Sequence, residues 1–356
     1  MGIDGHKRFC QVHVLDPRGE TAWKGRIDND SFELFDEVVH SLDLPCKAVF
    51  ESAMNWHVLY DYLCMTKGIS EVIMAHPLKV KLICDAHLKN DKVDSMKLAM
   101  LLRLDMVPRA HATGEKSRHI KELVRQRASW VGMRTRIRNR THRLLGAVPE
   151  AVELPQCSDL FGRKGSNAMS KLELPEPYQS NLEQNLKSLN ELGLKVKEIE
   201  KKLTDLCKTH PDISLLSSIP GIGKVIACVI GAEVDGIERF SSKKKFIAYC
   251  GLAPTTHGSA GVFHQGKMIK ACNKWLKWGF IEAAWVAVGC DGYFGSIYKG
   301  HKARGKKSNT SITIVARRMA QIAWELLKER RKYEKRLSQQ EKFPARSGHG
   351  LVGEVA

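Results

Sequence analysis

The chain contains 356 residues, 43% of them hydrophobic, and carries a formal net charge of +18 at pH 7. A chain of this length typically folds into two or three domains rather than around one small core. It contains no run of about 18 apolar residues, and its first residues, MGIDGHKRF, lack the apolar segment of a secretion signal. We therefore predict a cytoplasmic protein without a membrane span.

The excess of basic residues predicts a polyanionic partner, and nucleic acid is the most common one. A generally basic surface without such a ligand is the alternative. The ten cysteines are scattered along the chain and include no C-x-x-C pair. In a chain without a secretion signal, this spacing favours reduced thiols over disulfides or structural zinc.

The first hundred residues alternate between strand and helix patterns. A short first strand ends at Asp4, and further strands and helices follow in the order strand, strand, helix, strand, helix, strand. The predicted strands are 9–15, a segment after the turn at 17–19, 48–51 and 71–74, and the predicted helices are 31–42 and 56–65. This order is typical of an RNase H-like α/β domain, which we assign to residues 1–110.

Residues 111–210 are predicted to form a long helical arm. An arginine-rich helix covers 115–145, a connector with proline and glycine covers 149–177, and a second helix covers 178–207. Steps of four and three separate the apolar residues of a heptad seam, which we expect to break near Leu189: Leu192, Val196, Ile199, Leu203 and Leu206. The pattern favours an antiparallel coiled coil; a helical hairpin inside one domain is the alternative.

Residues 211–337 are predicted to form a mostly helical domain, followed by a frayed tail over 338–356. The turn at 218–223 separates two short apolar helices and is similar to a helix-hairpin-helix element. Its Gly221 and Gly223 would expose backbone N–H groups to phosphate, although a simple tight turn is equally compatible with the sequence. A loop, a tryptophan-rich helix over 268–288, a basic loop over 301–307 and a last helix over 310–337 complete the domain.

Basic residues in three segments are candidates for nucleic-acid contact. The arginine-rich helix would lie among phosphates, or else present a solvated basic face. We expect Lys270 and Lys274 to share a helical face, and the loop at 301–307 to clamp phosphate. The candidates are Arg134, Arg138, Arg140, Lys270, Lys274 and Lys306. We place the neighbouring Trp275, Trp278 and Trp285 in the core rather than in a stacking surface.

Four acidic residues form a candidate metal site. Asp4 ends the first predicted strand, Glu51 ends a later one, and Asp91 and Asp94 share one face of a following helix at i and i+3. Clustered carboxylates repel each other unless a cation lies between them, and oxygen ligands favour Mg²⁺ or Mn²⁺. Two such ions about 4 Å apart promote phosphodiester cleavage. Taken singly, each acid is equally compatible with a solvated surface position.

Ser259 lies in a predicted loop over 251–261. Its neighbours Gly258, Ala260 and Gly261 are small enough to let a backbone phosphate approach. A serine hydroxyl is a weak nucleophile that needs a base or a metal for activation. Without further context, a serine in a glycine-rich loop is unremarkable.

Several motifs, taken in order, resemble insertion-sequence transposases of the IS110 type, also called bridge-RNA-guided recombinases. The resemblance covers roughly residues 1–330, and its C-terminal motifs are specific. The motifs are NDKVDSMKLAMLL, SIPGIGKVIACVIGAEV, RFSSKKKFIAYCGLAP, HGSAG and IKACNKWLKWGFIEAA. Members of this family have a RuvC-like domain with three Asp and one Glu, a coiled-coil arm and a C-terminal domain with a catalytic serine.

The resemblance implies that Asp4, Glu51, Asp91 and Asp94 hold the metal and that Ser259 is the nucleophile. The family usually has Ser-Ser-Gly where this chain has Gly258-Ser259-Ala260-Gly261, so one serine is left as the candidate. The implied reaction is DNA strand exchange through a phosphoserine link. The implied partners are donor and target DNA, a structured noncoding guide RNA and further copies of the chain, a dimer that assembles to a tetramer at the bacterial nucleoid.

Two other functions fit the same residues. The first is a RuvC-like junction nuclease that uses metal and water without a covalent serine step. The second is a non-catalytic nucleic-acid-binding protein whose catalytic site has decayed. Replacement of Ser259 separates the transposase from the nuclease, and replacement of Asp91 or Glu51 separates either enzyme from the binding protein.

Overall fold

The computed structural model describes residues 1–42, 44–52, 56–83, 91–155, 157–259 and 262–335. The side chains of residues 91–92, 152–153, 256–259 and 262–265 lie outside this description. The chain divides into two compact units, Met1–Thr113 and Gly114–Ala356. No helix among the described residues is long and apolar enough to cross a membrane.

Unit one is built on a five-stranded mixed sheet in the order β3-β2-β1-β4-β5. The strands β1, β2 and β3 pair antiparallel, whereas β1, β4 and β5 pair parallel. Their bounds are β1 Gly2–Gly5, β2 Phe9–Leu15, β3 Thr21–Asp28, β4 Cys46–Glu51 and β5 Ile69–Ala75. The predicted α/β class and the predicted order of elements are confirmed for this unit.

Helices cover both faces of the sheet. On one face, Phe35 of the first helix and Leu63 of the second pack against Phe50 of β4. On the other face, Leu98 of the fourth helix packs against Val49. Because β4 is an inner strand covered on both sides, its consecutive residues Ala48, Val49 and Phe50 are all buried. The helices are α1 Glu33–His40, α2 Trp56–Met65, α3 Pro77–Ile83 and α4 Asp91–Arg103.

The helix α4 lies in direct backbone contact with β1. A Cβ atom on Gly2 would overlap the carbonyl oxygen of Ser95 and the amide nitrogen of Ala99, so the helix backbone lies directly on the strand backbone. Only glycine leaves room for this contact. The last residue of α4, Arg103, contacts Gly19 in the β2–β3 turn. Because β2 runs antiparallel to β1, this turn lies at the opposite end of the strands from Asp4. The start of α4 therefore faces the edge where β1 ends.

Replacing Gly2 by Ala should lower the free energy of unfolding of unit one by about 1–3 kcal/mol, because two packed backbones must separate to admit one methyl group. Urea denaturation measures this change, and hydrogen exchange of peptides from α4 should speed up. Gly5→Ala on the same strand is the matched control, since its new Cβ would meet Leu59 Cδ2 at an ordinary 3.8 Å. Equal stability of the two variants would contradict the packing described here.

Unit two is mostly helical and contains one two-stranded sheet. Two 3-10 turns lie at Pro149–Glu153 and Ile237–Arg239. The helices are α5 Glu115–Leu145, α6 Arg163–Met169, α7 Tyr178–Thr209, α8 Pro211–Ser217, α9 Lys224–Val234, α10 Lys243–Tyr249, α11 Lys274–Cys290, α12 Gly292–Ala303 and α13 Ser308–Glu329. The strands are β6 Pro254–Ser259 and β7 Val262–Met268, which pair antiparallel.

The long helices α5 and α7 run antiparallel along each other. Arg127 on α5 bonds Glu200 on α7, and one turn further Lys195 lies over the Trp130 ring at 5.7 Å. From the first contact to the second, the residue number rises on α5 and falls on α7, so the two helices are antiparallel. Buried Leu182 and Asn185 continue the three-and-four spacing beyond Leu189, so the predicted break in the seam is wrong.

The connector between α5 and α7 contains a small apolar core of its own. Met169 of α6 and Leu172 pack with Leu145 and Leu182 from the ends of the two long helices. The segment therefore closes the tip of the helix pair. The sequence predicted only a connector here, because its proline and glycine residues hide the short helix.

Three predicted boundaries in the C-terminal part are wrong. The segment around Ser259 forms a β-hairpin instead of a loop, and residue 268 ends a strand instead of beginning a helix. The last helix spans Ser308–Glu329, shorter than the predicted 310–337 at its end. The tail over 338–356 lies outside the described residues.

Candidate active site and nucleic-acid interface

The parallel pairing of β1 with β4 brings two of the predicted acids to one edge of the sheet. The register pairs Gly2 with Val49 and Ile3 with Phe50. The next residues along the two strands are Asp4 and Glu51. Since neighbouring parallel strands end at the same edge, the two acids lie side by side.

The third acid, Asp94, lies on α4, the helix that packs directly on β1. Asp94 directly precedes Ser95, whose carbonyl oxygen lies against Gly2. Asp91 begins the helix one turn earlier, at the end that faces Asp4. Its side chain lies outside the described residues, so its contribution to the site stays a prediction.

Two of these acids, Asp4 and Asp94, have a nearby cationic or ionisable neighbour. Asp4 Oδ2 lies 3.3 Å from His6 Nε2, and Asp94 Oδ1 lies 3.3 Å from Lys97 Nζ. The side chains of Asp4 and Asp94 are 21% and 31% exposed, so solvent and ligand reach both. Among the described side chains, no three His, Cys, Asp or Glu residues form a group that could hold a metal ion. The four predicted ligands are all carboxylates, a donor type that fits Mg²⁺ or Mn²⁺.

Cys10 lies beside this edge but is not a ligand of the expected kind. Burial, and secondarily the charge of Asp4, raises the pKa of its thiol to about 12. The protonated thiol donates to Asn29 Oδ1 at 3.3 Å. A thiol held neutral is neither a metal ligand nor a nucleophile at physiological pH. The nine described cysteines are all free, as the sequence predicted.

Ser259 is the last residue of β6 and pairs with Val262, the first residue of β7. Its side chain lies outside the described residues. The base of the hairpin is held by Thr255 Oγ1, which donates to the Lys267 carbonyl at 2.9 Å, and by the Ile269 amide, which donates to the Ala253 carbonyl at 3.1 Å. The serine belongs to unit two and the four acids belong to unit one.

A buried carboxylate anchors the chain just after the hairpin. Glu233 on α9 accepts a 2.8 Å hydrogen bond from the Asn273 side chain, and it pairs with Lys121 and Arg125 of α5 at 3.4 and 3.1 Å. Asn273 also caps α11, because its Oδ1 accepts from the Leu276 amide. Sequence reasoning missed Glu233, although an acid inside the apolar run KVIACVIGAEV is a usable signal.

Two of the predicted phosphate-binding arginines already have partners within the protein. The Arg140 guanidinium donates to Asn185 Oδ1 at 2.5 Å, and the Arg138 guanidinium lies over the Phe161 ring at 4.9 Å. Arg134 is half-buried on the same helix. Contact with nucleic acid through Arg138 or Arg140 would therefore share these side chains with an existing packing role.

The two glycines of the 218–223 turn have different surroundings. A Cβ atom on Gly221, whose φ is +87°, would overlap the Ala283 carbonyl oxygen, so this glycine is required where the turn packs on α11. Gly223 is exposed and has no atom near its missing Cβ at the start of α9. Of the two, Gly223 is the residue whose backbone is open to a ligand.

The three predicted lysines are exposed. The shared helical face of Lys270 and Lys274 and the placement of all three neighbouring tryptophans in the core are wrong. Lys270 precedes α11 and does not share a helical face with Lys274, which is its first residue. Lys306 follows α12 in a short loop. Trp275 packs on the core as predicted, whereas Trp278 and Trp285 are 39% and 43% exposed.

Comparisons with known proteins match the two segments of the chain that contain these acids and the hairpin. A DEDD transposase family model of IS110 elements matches residues 1–149, and a model described as the transposase IS116/IS110/IS902 family matches residues 213–299. The first matched segment carries the sheet and its acidic edge, and the second carries Ser259. The chain thus carries the domains of the DEDD class of transposases. The chain belongs to the IS110 family.

Individual relatives show how much of the chain is shared. It is 27% identical to an uncharacterised 43.6 kDa protein of insertion element IS110 from Streptomyces coelicolor, over 39% of this chain and 34% of that protein. It is 27% identical to a putative transposase of Sinorhizobium fredii, over 55% of this chain and 53% of that protein. The match to a probable family 20 transposase of Pseudomonas aeruginosa, at 21% identity, covers 92% and 96%.

Replacing Glu233 by Gln should lower the free energy of unfolding of unit two by about 3 kcal/mol, because Lys121 and Arg125 would lose their shared counter-charge in a buried position. Urea denaturation followed by tryptophan fluorescence measures the loss. Glu198→Gln is the matched control: this exposed carboxylate pairs with Lys202 on the surface of α7 and should contribute little. If both variants unfold at the same urea concentration, Glu233 does not have the anchoring role described.

Proposed function

We propose that this chain cuts and rejoins DNA strands as the transposase of an insertion sequence, with Ser259 as the nucleophile and the acidic edge of unit one as a divalent metal site. The observation that carries the proposal is the register of β1 with β4, which pairs the residues directly before Asp4 and Glu51. The contact of Gly2 with Ser95, the residue after Asp94, supports a place for that acid nearby. Asp91, one turn before Asp94, would complete the set.

The covalent step exchanges one phosphate ester for another. The Ser259 Oγ attacks a DNA phosphorus, an Oγ–P bond forms and the P–O3′ bond breaks. The serine proton passes to solvent, and the departing 3′ oxygen takes up a proton. The 3′ hydroxyl of the partner strand then attacks the phosphoserine, which restores a P–O3′ bond and releases the serine hydroxyl. The number of phosphate esters is unchanged, so no external energy source is needed.

The residues around the acidic edge would hold and orient the scissile phosphate. Asp4, Glu51, Asp91 and Asp94 would bind Mg²⁺ or Mn²⁺, which supplies polarisation of the phosphate and stabilisation of the departing oxygen when bound. Lys97, 3.3 Å from Asp94, orients that carboxylate. The proposed metal ligands and the nucleophile belong to different units, so the reaction needs both units at one phosphate. We propose that a dimer, which assembles to a tetramer, brings the two units together there.

Donor DNA, target DNA and a structured guide RNA are the proposed partners. The net charge of +18 supports polyanion binding in general. A cavity of about 450 Å³ in the helical arm is lined by Arg140, Arg143, Tyr178 and Asn185, which offer charged and neutral donors to a nucleic-acid backbone. If the RNA pairs with the target, base pairing sets the sequence and the protein holds the duplex by its shape.

Replacing Ser259 by Ala should abolish both recombination and the covalent protein–DNA adduct, because the attacking oxygen is absent, while DNA binding is retained. The measurement is adduct formation on labelled DNA by denaturing gel electrophoresis. Thr256→Ala on the same strand is the control and should still form the adduct. DNA cleavage that survives in the Ser259 variant would instead support the junction nuclease.

Replacing Asp94 by Asn should reduce strand cleavage by at least about 100-fold, since one charged oxygen ligand of the metal is lost. Affinity for DNA should change little, because the substitution removes no cation. The control is Asp105→Asn, an acid of the same unit with a 96% exposed side chain. Full activity of the Asp94 variant would favour a non-catalytic nucleic-acid-binding protein.

A further inference from the structure

A cavity of about 320 Å³ lies between α12 and α13 in unit two. Three arginines and one histidine reach it: His301 and Arg304 from the end of α12, and Arg317 and Arg318 from α13. Tyr293 and Gln321 are among the remaining lining residues. No described side chain that lines the cavity is acidic.

The three arginines donate only to neutral acceptors. Arg304 Nε donates to the Gly300 carbonyl at 3.1 Å, Arg317 Nε to the Leu252 carbonyl at 2.7 Å, and Arg318 Nε to the Tyr293 hydroxyl at 2.7 Å. Arg127 on α5, by contrast, pairs with the carboxylate of Glu200 on α7. Positive charge that is fixed in place but left uncompensated is the feature of an anion site.

The histidine responds to this positive environment. Burial first, and then the charges of Lys306 and Arg304, lowers the pKa of His301. Its Nδ1 is buried without a hydrogen-bond partner among the described residues. A bound anion would offset the repulsion and supply an acceptor for that nitrogen.

Arg317 connects the cavity to the serine hairpin. Its guanidinium lines the cavity while its Nε holds the carbonyl oxygen of Leu252, two residues before β6 begins. An anion in the cavity would therefore lie against the side chain that fixes the root of this hairpin. The guanidinium fork suits such a dual role, because its donors point in different directions.

We propose that this cavity binds a backbone phosphate of the nucleic-acid substrate and thereby fixes the hairpin that carries Ser259. The proposal rests on the proposed function for the identity of the anion, which we take to be a DNA phosphodiester. The cavity is large enough for one phosphate with part of its sugar. The fork of donors on an arginine guanidinium matches the phosphate oxygens. The site reads no base, so it contributes affinity and position but not sequence specificity.

The test compares two double variants of the full chain that remove the same amount of charge. Arg304→Gln with Arg318→Gln empties the cavity of two cations, whereas Lys202→Gln with Lys208→Gln removes two exposed cations from α7. The probe is a fluorescein-labelled single-stranded DNA oligonucleotide of mixed sequence, and fluorescence anisotropy gives the affinity at several salt concentrations. Circular dichroism verifies that both variants are folded.

The arginine variant should bind at least about tenfold more weakly, and its slope of log affinity against log salt should fall by about one. The lysine variant should retain both values within about twofold. Wild-type affinity and slope in the arginine variant would overturn the proposal. Equal losses in the two variants would also overturn it, since they would reflect net charge alone.

A second measurement tests the link to the hairpin without relying on activity. Hydrogen exchange of the peptide over 253–269 should slow when the oligonucleotide binds to the wild-type chain, but not when it binds to an Arg317→Gln variant. Unchanged exchange in both proteins would overturn the coupling. The two proposals can also fail separately. If Ser259→Ala still forms the adduct while Arg304→Gln with Arg318→Gln lowers the slope of log affinity against log salt, the serine mechanism is wrong and the phosphate site is supported.

Discussion

The contact between two backbones at Gly2 is the constraint on which the proposed acidic site depends. Because Gly2 has no side chain, α4 lies directly on β1. Backbone atoms of Ser95 and Ala99 contact Gly2 with no side chain between them. This contact fixes the height of the helix above the sheet, and Asp94 is one residue from it. A spacing of side-chain thickness would move that carboxylate away from Asp4 by several ångströms, and a metal site tolerates far less displacement.

Two groups of charged residues in unit two differ in how their charge is compensated. Glu233 joins α5, α9 and the start of α11 through Lys121, Arg125 and Asn273, so the segment after the serine hairpin is held by a satisfied polar network. The arginines between α12 and α13 are bound only to neutral acceptors. The distinction follows from desolvation, because an unpaired buried charge is costly whereas an exposed one is solvated until a phosphate replaces water.

Placing the acids and the serine in different units separates two tasks. In the proposed reaction, unit one would offer oxygen ligands at the end of its sheet. Unit two would offer the nucleophile at the end of a short hairpin, whose base is held by Thr255 and by the Arg317 contact with Leu252. The proposed reaction would therefore depend on assembly, because neither unit has both groups.

The sequence by itself determined the elements that local pattern specifies. Alternation gave β2 at Phe9–Leu15 and helical spacing gave α5 at Glu115–Leu145, because burial of one face imposes a period on neighbouring residues. Only the tertiary structure decided the rest. The hairpin at Ser259 has a glycine-rich sequence without alternation and exists through pairing with a later strand. Glu233 and the arginine cavity depend on residues far apart in the chain, so no local period could reveal which charges meet partners and which stay available.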